Sequence, residues 1–300
     1  MSRQGNARLR IATRASNLAR WQSAWVGAEL ERRGHGFELV TIETQGDREL
    51  RPFAELEGQG FFTKAVQEAV LDGRADFAVH SYKDLPSARH PDLVIAALPR
   101  RADPRDVLLT LPDRYAPGDA ALPVAHGATV GSSAARRRAQ LLALRPDLRP
   151  LDLRGNVETR IAKLREGRYD AILLAAAGLQ RLEPDLTGLV VTPLDPSRFL
   201  PAPGQGALAL ECRADRADLV ALLSELDDAP TSWAVAAERG LMARLDGGCQ
   251  LALGAHATAL GSGLELTAWY EGRTVRAEGA SVAEVVEAAF GALGLGEAVA

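Results

Sequence analysis

The strongest constraint on the fold is the alternation of strand-like and helix-like apolar patterns along the first two thirds of the chain. Short apolar runs at residues 9–13, 37–43, 76–80 and 93–98 predict buried strands. Amphipathic stretches at residues 16–34 and 63–73 predict helices between them, each ending at a glycine. This order predicts an α/β fold, in which helices cover a parallel or mixed sheet.

The same alternation occurs a second time after a charged, proline-containing stretch at residues 99–104. Strands are predicted at residues 107–110, 129–133, 151–153 and 171–174, with helices at 134–144 and 157–164. A Pro/Gly-rich stretch at 199–206 then leads to a buried strand at 207–212. Two α/β units joined by hinges predict a cleft between them, at the carboxyl ends of the strands.

From about residue 227 the pattern changes to a helix, three alternating strands and a last helix from Ser281, which predicts a small α+β domain. Residues 44–60 are polar, contain three glycines and a proline, and predict a mobile loop.

Composition and charge argue against several classes of function. The net charge of −4 argues against a general nucleic-acid binder. Two cysteines and an N-terminal sequence without the apolar stretch of a signal peptide predict a cytoplasmic protein. No metal site is expected, because the five histidines are scattered and the cysteines lack zinc-ligand spacing.

Arginines gather where predicted strands meet helices. Between residues 131 and 181 there are ten arginines and one lysine against five acidic residues. Guanidinium groups at a helix start oppose the helix dipole, but together with hydroxyls and free amides they form a good anion site. A solvated basic face or surface salt bridges would explain the same composition. The residues at these junctions are Arg14, Ser16, Ser133, Arg136, Arg137, Arg154, Gly155 and Arg160.

The segment HSYKDLP begins in a predicted strand and ends at a proline, so Lys83 and Asp84 lie at the strand's carboxyl end. A carboxylate there can stabilise a cation or move a proton. An exposed Lys–Asp pair is the competing interpretation. His80 is expected to be a core histidine.

The two cysteines differ in their surroundings. Cys212 lies in an apolar strand pattern and is expected to be inert. Cys249 lies in the turn DGGCQ, where glycines leave its sulfur open to covalent chemistry, unless it is an incidental surface cysteine.

These residues stand in motifs that resemble the porphobilinogen deaminase family. The resemblance runs in order from about residue 8 to 257 and includes IATRASNLARWQ, ADFAVHSYKDLP, GSSAARRRAQL, LRGNVETRIAKL, FLPAPGQGALALECR and LDGGCQ. It implies an enzyme that joins four porphobilinogen molecules head to tail on a bound dipyrromethane, releasing ammonia and hydroxymethylbilane for tetrapyrrole biosynthesis.

The resemblance also implies a three-domain arrangement. Domain 1 would comprise residues 1–103 and 205–226, and domain 2 residues 104–204, both similar to halves of periplasmic binding proteins. Domain 3 would comprise residues 227–300. Cys249 would carry the dipyrromethane through a thioether, and Asp84 would be the catalytic acid–base. The cofactor and substrate would be bound by Arg14, Ser16, Ser81, Lys83, Ser133, Arg136, Arg137, Arg154, Gly155, Arg160, Arg181 and Gln205.

A solute-binding protein that clamps a polycarboxylate without chemistry is the alternative from another class. A nucleic-acid binder that uses the arginines is a third, opposed by the net charge and by the lack of interleaved aromatic residues. The family resemblance implies a monomer, and no membrane partner is expected.

Overall fold

The computed structural model describes residues 8–44, 63–118, 122–245 and 251–294. In chain order, the strands of this part are β1 (Leu9–Arg14), β2 (Phe37–Ile42), β3 (Phe77–Ser81), β4 (Leu93–Ala97), β5 (Asp106–Thr110), β6 (Thr129–Gly131), β7 (Arg149–Leu151), β8 (Ala171–Ala175), β9 (Val190–Pro193), β10 (Leu208–Arg213), β11 (Gly254–Leu260), β12 (Gly263–Tyr270) and β13 (Arg273–Gly279). The helices are α1 (Asn17–Glu31), α2 (Lys64–Leu71), α3 (Ala135–Leu144), α4 (Val157–Arg165), α5 (Ala176–Leu182), α6 (Ala217–Ser224), α7 (Ala229–Arg244) and α8 (Val282–Ala292).

The chain divides into two compact units. The first contains Met1–Arg101 and Ala207–Ser232, and the second contains Ala102–Gly206 and Trp233–Ala300. The division into three domains stays a prediction, as does the hinged cleft.

The first unit contains a five-stranded sheet in the order β2-β1-β3-β10-β4. Strand β1 runs parallel to β2 and β3, while β10 is antiparallel to both β3 and β4. Because alternate residues of a strand face opposite sides, Phe77 and Val79 of β3 pack with Val26 of α1, whereas Ala78 packs with Val66 of α2. One helix layer therefore covers each face of this sheet.

The second unit contains a five-stranded sheet in the order β7-β6-β8-β5-β9. Strand β6 is parallel to β7 and β8, and β5 is antiparallel to β8 and β9. The two sheets thus repeat one topology: four strands of each sheet run in the same direction, and the fourth strand in the order, β10 or β5, runs opposite to them. The carboxyl ends of β6, β7 and β8 lie at one edge, where α3, α4 and α5 begin.

The second unit also contains an antiparallel sheet in the order β11-β12-β13, which shares a core with α7 and α8. Glu238 of α7 is buried and joins this sheet to the stretch before β10. Its Oε2 accepts a hydrogen bond from the amide of Gly204 at 2.7 Å, and its Oε1 accepts one from the amide of Ala257 at 2.9 Å.

The predicted α/β class is confirmed, and most predicted elements lie within a few residues of their observed bounds. Strand β7 was expected at residues 151–153, but it spans Arg149–Leu151 and includes Pro150. A proline is tolerated there because β7 is an edge strand and needs one ladder partner only. Strand β9 and helices α5 and α6 were not predicted. Within the described residues, no helix is long and apolar enough to cross a membrane.

Candidate functional site

In the first unit, five of the predicted residues lie at the carboxyl edge of β1 and β3. Arg14 ends β1, and Ser16 caps α1 by accepting a hydrogen bond from the amide of Ala19 at 3.3 Å. Ser81 ends β3, and a single 3-10 turn, Tyr82–Asp84, follows it with Lys83 at its centre. Because β1 and β3 are neighbouring parallel strands, the backbone brings these residues to one sheet edge.

Asp84 is half-buried, and its carboxylate has no hydrogen bond or ion pair among the residues that the structure describes. The backbone around it is nevertheless fixed. The amide of Leu85 donates to the carbonyl of Tyr82 at 3.2 Å, and the amide of Tyr82 donates to the carbonyl of Ala207 at 3.0 Å. A carboxylate held in place without a partner is poised to interact with a ligand.

The hydroxyl of Ser81 is held by Gln22, a buried side chain of α1. The Gln22 Nε2 atom lies 2.9 Å from Ser81 Oγ, and Gln22 Oε1 lies 3.2 Å from it. The hydroxyl that was predicted to bind a ligand therefore has an internal partner, and Gln22 is a supporting residue that sequence reasoning missed.

In the second unit, Arg136, Arg137 and Gln205 converge on Asp106, a fully buried residue that the sequence analysis did not single out. Arg136 Nη1 lies 2.7 Å from Asp106 Oδ2, and Arg137 Nη2 lies 2.7 Å from Oδ1. Gln205 Nε2 donates to the same Oδ1 at 2.9 Å. Burial would raise the pKa of Asp106, but the charges and hydrogen bonds of the two arginines hold that pKa well below its usual range.

Position in the sheet explains why these groups meet. Asp106 begins β5 and stands opposite Ala175, the last residue of β8. It therefore lies at the edge where α3, which carries both arginines, begins. Two guanidinium groups against one carboxylate leave a net positive charge in a buried place, which favours an additional anion.

Arg181 supplies a further buried cation in this unit. Its side chain is in the last turn of α5, and the residue is only 9% exposed. Its Nη2 donates to the carbonyl of Gly206 at 2.8 Å, and it has no acidic partner in the described part of the chain. Burial lowers its pKa to about 10, so the guanidinium stays charged at neutral pH. A buried charge without a counter-ion suits an anionic ligand.

The remaining predicted residues of the second unit lie around the start of α4 and the end of β6. Ser133 Oγ bonds to the amide and the carbonyl of Leu153, each at 3.0 Å, and so fastens the two junctions to each other. Gly155 has a φ of +116°, and a Cβ there would lie 2.6 Å from the side chain of Thr159. Arg160 Nε donates to the Gly155 carbonyl at 2.8 Å, and Lys163 Nζ donates to the Arg154 carbonyl at 2.8 Å.

Cys249 lies outside the described residues, as does the predicted loop apart from Thr44. Cys212 is buried, and burial raises the pKa of its thiol to about 11, as expected of an inert cysteine. No group of three histidine, cysteine or acidic side chains suited to a metal ion occurs within the described ranges. The expected absence of a metal stays a prediction.

Two family models match this chain. The porphobilinogen deaminase dipyrromethane cofactor binding domain matches residues 9–221, and the porphobilinogen deaminase C-terminal domain matches residues 233–278. The chain belongs to the porphobilinogen deaminase family. Membership confirms the predicted enzyme, a transferase of tetrapyrrole biosynthesis, and its predicted dipyrromethane cofactor. It favours the enzyme over the solute-binding alternative.

Individual relatives agree with this assignment to the deaminase family. The porphobilinogen deaminase of Nitratidesulfovibrio vulgaris (strain Miyazaki F) is 49% identical over 259 residues, or 85% of this chain and 80% of that protein. That of Brevibacillus brevis is 46% identical over 263 residues, covering 86% of this chain and 82% of that protein. Among solved structures, the BvgS periplasmic VFT2 domain of Bordetella pertussis gives a TM-score of 0.45 at 19% identity, over 73% of this chain and 86% of that one.

Proposed function

We propose that this enzyme uses Asp84 to stabilise a cation and to accept a proton during the stepwise condensation of porphobilinogen. The buried arginines of its second unit bind the carboxylates of the ligand. The proposal rests on two charged side chains that have no oppositely charged partner within the described part of the chain. Asp84 has no partner among the described residues, and Arg181 is a buried cation that lacks a carboxylate there.

The residues present fit a dipyrromethane. Each pyrrole of this cofactor and of the substrate carries an acetate and a propionate, so the bound ligand is strongly anionic. Arg181 and the two arginines that share the Asp106 carboxylate suit such a ligand, because guanidinium groups bind carboxylates in bidentate pairs. We assign carboxylate contacts also to Arg14, Lys83, Arg154 and Arg160, and supporting contacts to Ser16, Ser81, Ser133, Gly155 and Gln205.

When bound, the dipyrromethane supplies the pyrrole carbon to which the first porphobilinogen is joined. Porphobilinogen becomes cationic at its methylene carbon when the bond to ammonia breaks, and the half-buried Asp84 carboxylate is suited to stabilise that cation. Once the carbon–carbon bond had formed, the same carboxylate would accept the proton that the attacking ring carbon releases.

Asp106 has a positioning role in this proposal. It fixes the orientation of Arg136 and Arg137 through bonds to both carboxylate oxygens, and Gln205 fixes the carboxylate in turn. Arg136 also donates to the carbonyl of Leu200 at 2.5 Å, and Arg137 donates to that of Leu173 at 3.0 Å. These bonds restrict the rotamers of both arginines before a ligand arrives, which lowers the entropic cost of binding.

We further propose that the dipyrromethane is attached to Cys249. The enzyme acts in the cytoplasm as a monomer, without nucleic-acid or membrane partners, in keeping with the net charge of −4 and the two cysteines.

The proposal is tested on purified Asp84→Ala protein by intact mass and by ammonia release. We expect dipyrromethane on a folded chain, together with a loss of turnover of about 10²- to 10⁴-fold, because a positioned acid–base group contributes that much. Asp84→Glu should keep part of the activity. Asp72→Asn, an exposed acid in the same unit, is the matched control.

Near-normal turnover of Asp84→Ala would refute the role of Asp84. A separate mass measurement addresses Cys249, since Cys249→Ser should lack the added pyrrole pair. Retention of that mass in the serine variant would refute the thioether assignment.

A further inference from the structure

Three polar side chains, of which His80 and Glu211 are buried and Gln67 is half-buried, bond to one another beside the strand that leads to Asp84. His80 Nε2 of β3 lies 3.0 Å from Glu211 Oε2 of β10, and both side chains are 4% exposed. Gln67 of α2 donates from its Nε2 to both oxygens of Glu211, at 3.0 and 3.1 Å. The three side chains thereby connect a helix with the two central strands of the first sheet.

This chain of side chains acts on the pairing of β3 with β10. His80 stands opposite Ala209, and Glu211 stands opposite Ala78, so the two side chains are diagonal neighbours on one face of the sheet. At the end of this strand pair, the amide of Tyr82 donates to the carbonyl of Ala207. Tyr82 is the first residue of the turn that contains Lys83 and Asp84. A change in how β3 and β10 lie against each other would therefore displace Asp84.

On the other face of β3, the next residue after His80 also has a polar contact, between Gln22 and Ser81. Buried polar bonds thus hold the end of β3 from the α1 side and from the α2 side. Elsewhere β3 is lined by Phe77, Ala78 and Val79, which contribute packing but no directional bond. The directional contacts are concentrated at the end of the strand that leads to Asp84.

Stability alone does not explain a buried histidine and glutamate. Removing both groups from water costs several kcal/mol, and well-packed apolar residues in their place are often neutral or stabilising. What a buried polar chain adds is one defined geometry, because each bond is lost if the strands shift.

We propose that the His80–Glu211–Gln67 chain is a positioning device for Asp84. It fixes the pairing of β3 and β10, so that the turn after β3 presents the carboxylate at one place throughout the successive condensations. None of the three residues touches the reacting atoms in this proposal, and the inference rests on the proposed role of Asp84.

The test replaces both ionisable groups with apolar ones, in the double variant His80→Leu with Glu211→Met, which keeps the core filled. We expect a melting temperature close to that of the wild type and a kcat, per dipyrromethane-loaded chain, about 10- to 100-fold lower, because small misplacements of a reacting group have effects of this size. The KM should change by less than about 3-fold, since no binding contact is removed. Amide hydrogen exchange at Tyr82 and Leu85 should become faster.

Two further variants separate positioning from general loosening. His80→Gln retains a donor at the place of Nε2 and should restore kcat to within about 3-fold of the wild type. Val79→Ala removes packing on the opposite face of β3 and should lower stability while leaving kcat nearly unchanged.

A wild-type kcat in the double variant overturns the inference, and so does an equal loss of kcat in Val79→Ala. The amide exchange at Tyr82 and Leu85 is independent of catalysis. If Asp84 proves dispensable for turnover, faster exchange in the double variant would still show that the chain holds the turn, and unchanged exchange would show that it does not.

Discussion

The two five-stranded sheets repeat one topology, yet the buried acid on the antiparallel strand of each has a different partner. In the first sheet Glu211 of β10 bonds to a histidine and a glutamine. In the second, Asp106 of β5 bonds to two arginines and a glutamine. Equivalent strands of one topology thus place a buried acid beside a histidine and a glutamine in one sheet, and beside two arginines and a glutamine in the other.

The comparison shows that two sheets of one topology can present groups of opposite charge. The first sheet presents a carboxylate, Asp84, on a turn that polar side chains hold from both faces. The second presents guanidinium groups whose charge exceeds that of their single internal carboxylate. In the proposed function, Asp84 of the first unit is the reactive group, and the buried arginines of the second unit bind carboxylates.

The largest expected effect comes from making the same isosteric change in both sheets. Asp106→Asn should lower the free energy of unfolding by about 3–5 kcal/mol, because two buried guanidinium groups lose their counter-ion. Glu211→Gln should cost only about 1–2 kcal/mol, since its amide oxygen still accepts from a neighbour. Urea denaturation of both variants measures the difference, and equal losses would contradict the comparison.

Next in size is the effect of Arg181→Leu on ligand binding. A charge-assisted hydrogen bond contributes about 1.5–3 kcal/mol. Its loss should raise the KM for porphobilinogen about 10-fold or more and reduce the loaded fraction seen by intact mass. Arg168→Ala, which removes an exposed arginine paired with Glu166 in the same unit, is the control. Equal behaviour of the two variants would show that burial of Arg181 has no bearing on binding.

A smaller effect follows from the low pKa of Asp106. Because this pKa is depressed in the folded state, the ionised carboxylate stabilises the fold fully above the ordinary aspartate pKa of about 4, and this contribution is lost as the pH falls below it. The stability difference between wild type and Asp106→Asn should therefore shrink by up to about 1.4 kcal/mol per pH unit between pH 4 and 3. A constant difference across that range would mean that Asp106 is not the titrating group.

The smallest effect concerns ion pairs at the surface of either unit. Arg10 pairs with Asp76 at 2.9 Å in the first unit, and Arg138 pairs with Asp152 at 2.6 Å in the second. Because both arginine side chains are partly exposed, at 38% and 40%, Arg10→Met and Arg138→Met should each cost less than about 1 kcal/mol in thermal unfolding. A large loss from either would show that charge outside the buried clusters also distinguishes the units.

The sequence predicted the fold class and most elements, because apolar periodicity and glycine or proline boundaries are local signals. The elements β9, α5 and α6 were not predicted. Helix α5 follows β8 directly, without a turn residue between them, so strand and helix form one apolar run in the sequence. Strand β7 was displaced in the prediction because Pro150 argues against a strand unless the strand is known to lie at an edge.

Side-chain contacts between residues that are far apart in the sequence could not be predicted. The arginines of α3 were interpreted as a ligand site, but the carboxylate that they already bind lies thirty residues earlier. A usable signal was present in DVLLT, an otherwise apolar strand that begins with an acid, since a buried carboxylate requires compensation. Glu211 in LALECR carries the same signal. The assignments of individual site residues stay predictions.

The carboxylate of Glu238 has a consequence for how this chain is made. It receives hydrogen bonds from Gly204, which precedes it, and from Ala257, which is synthesised later. On a ribosome, the stretch around Gly204 emerges before Glu238 is made, so the hydrogen bond of the Gly204 amide cannot form until α7 has been synthesised. A fragment that stops before α7 would lack this buried acceptor, and the part of the chain from α7 onward therefore completes the folding of residues made before it.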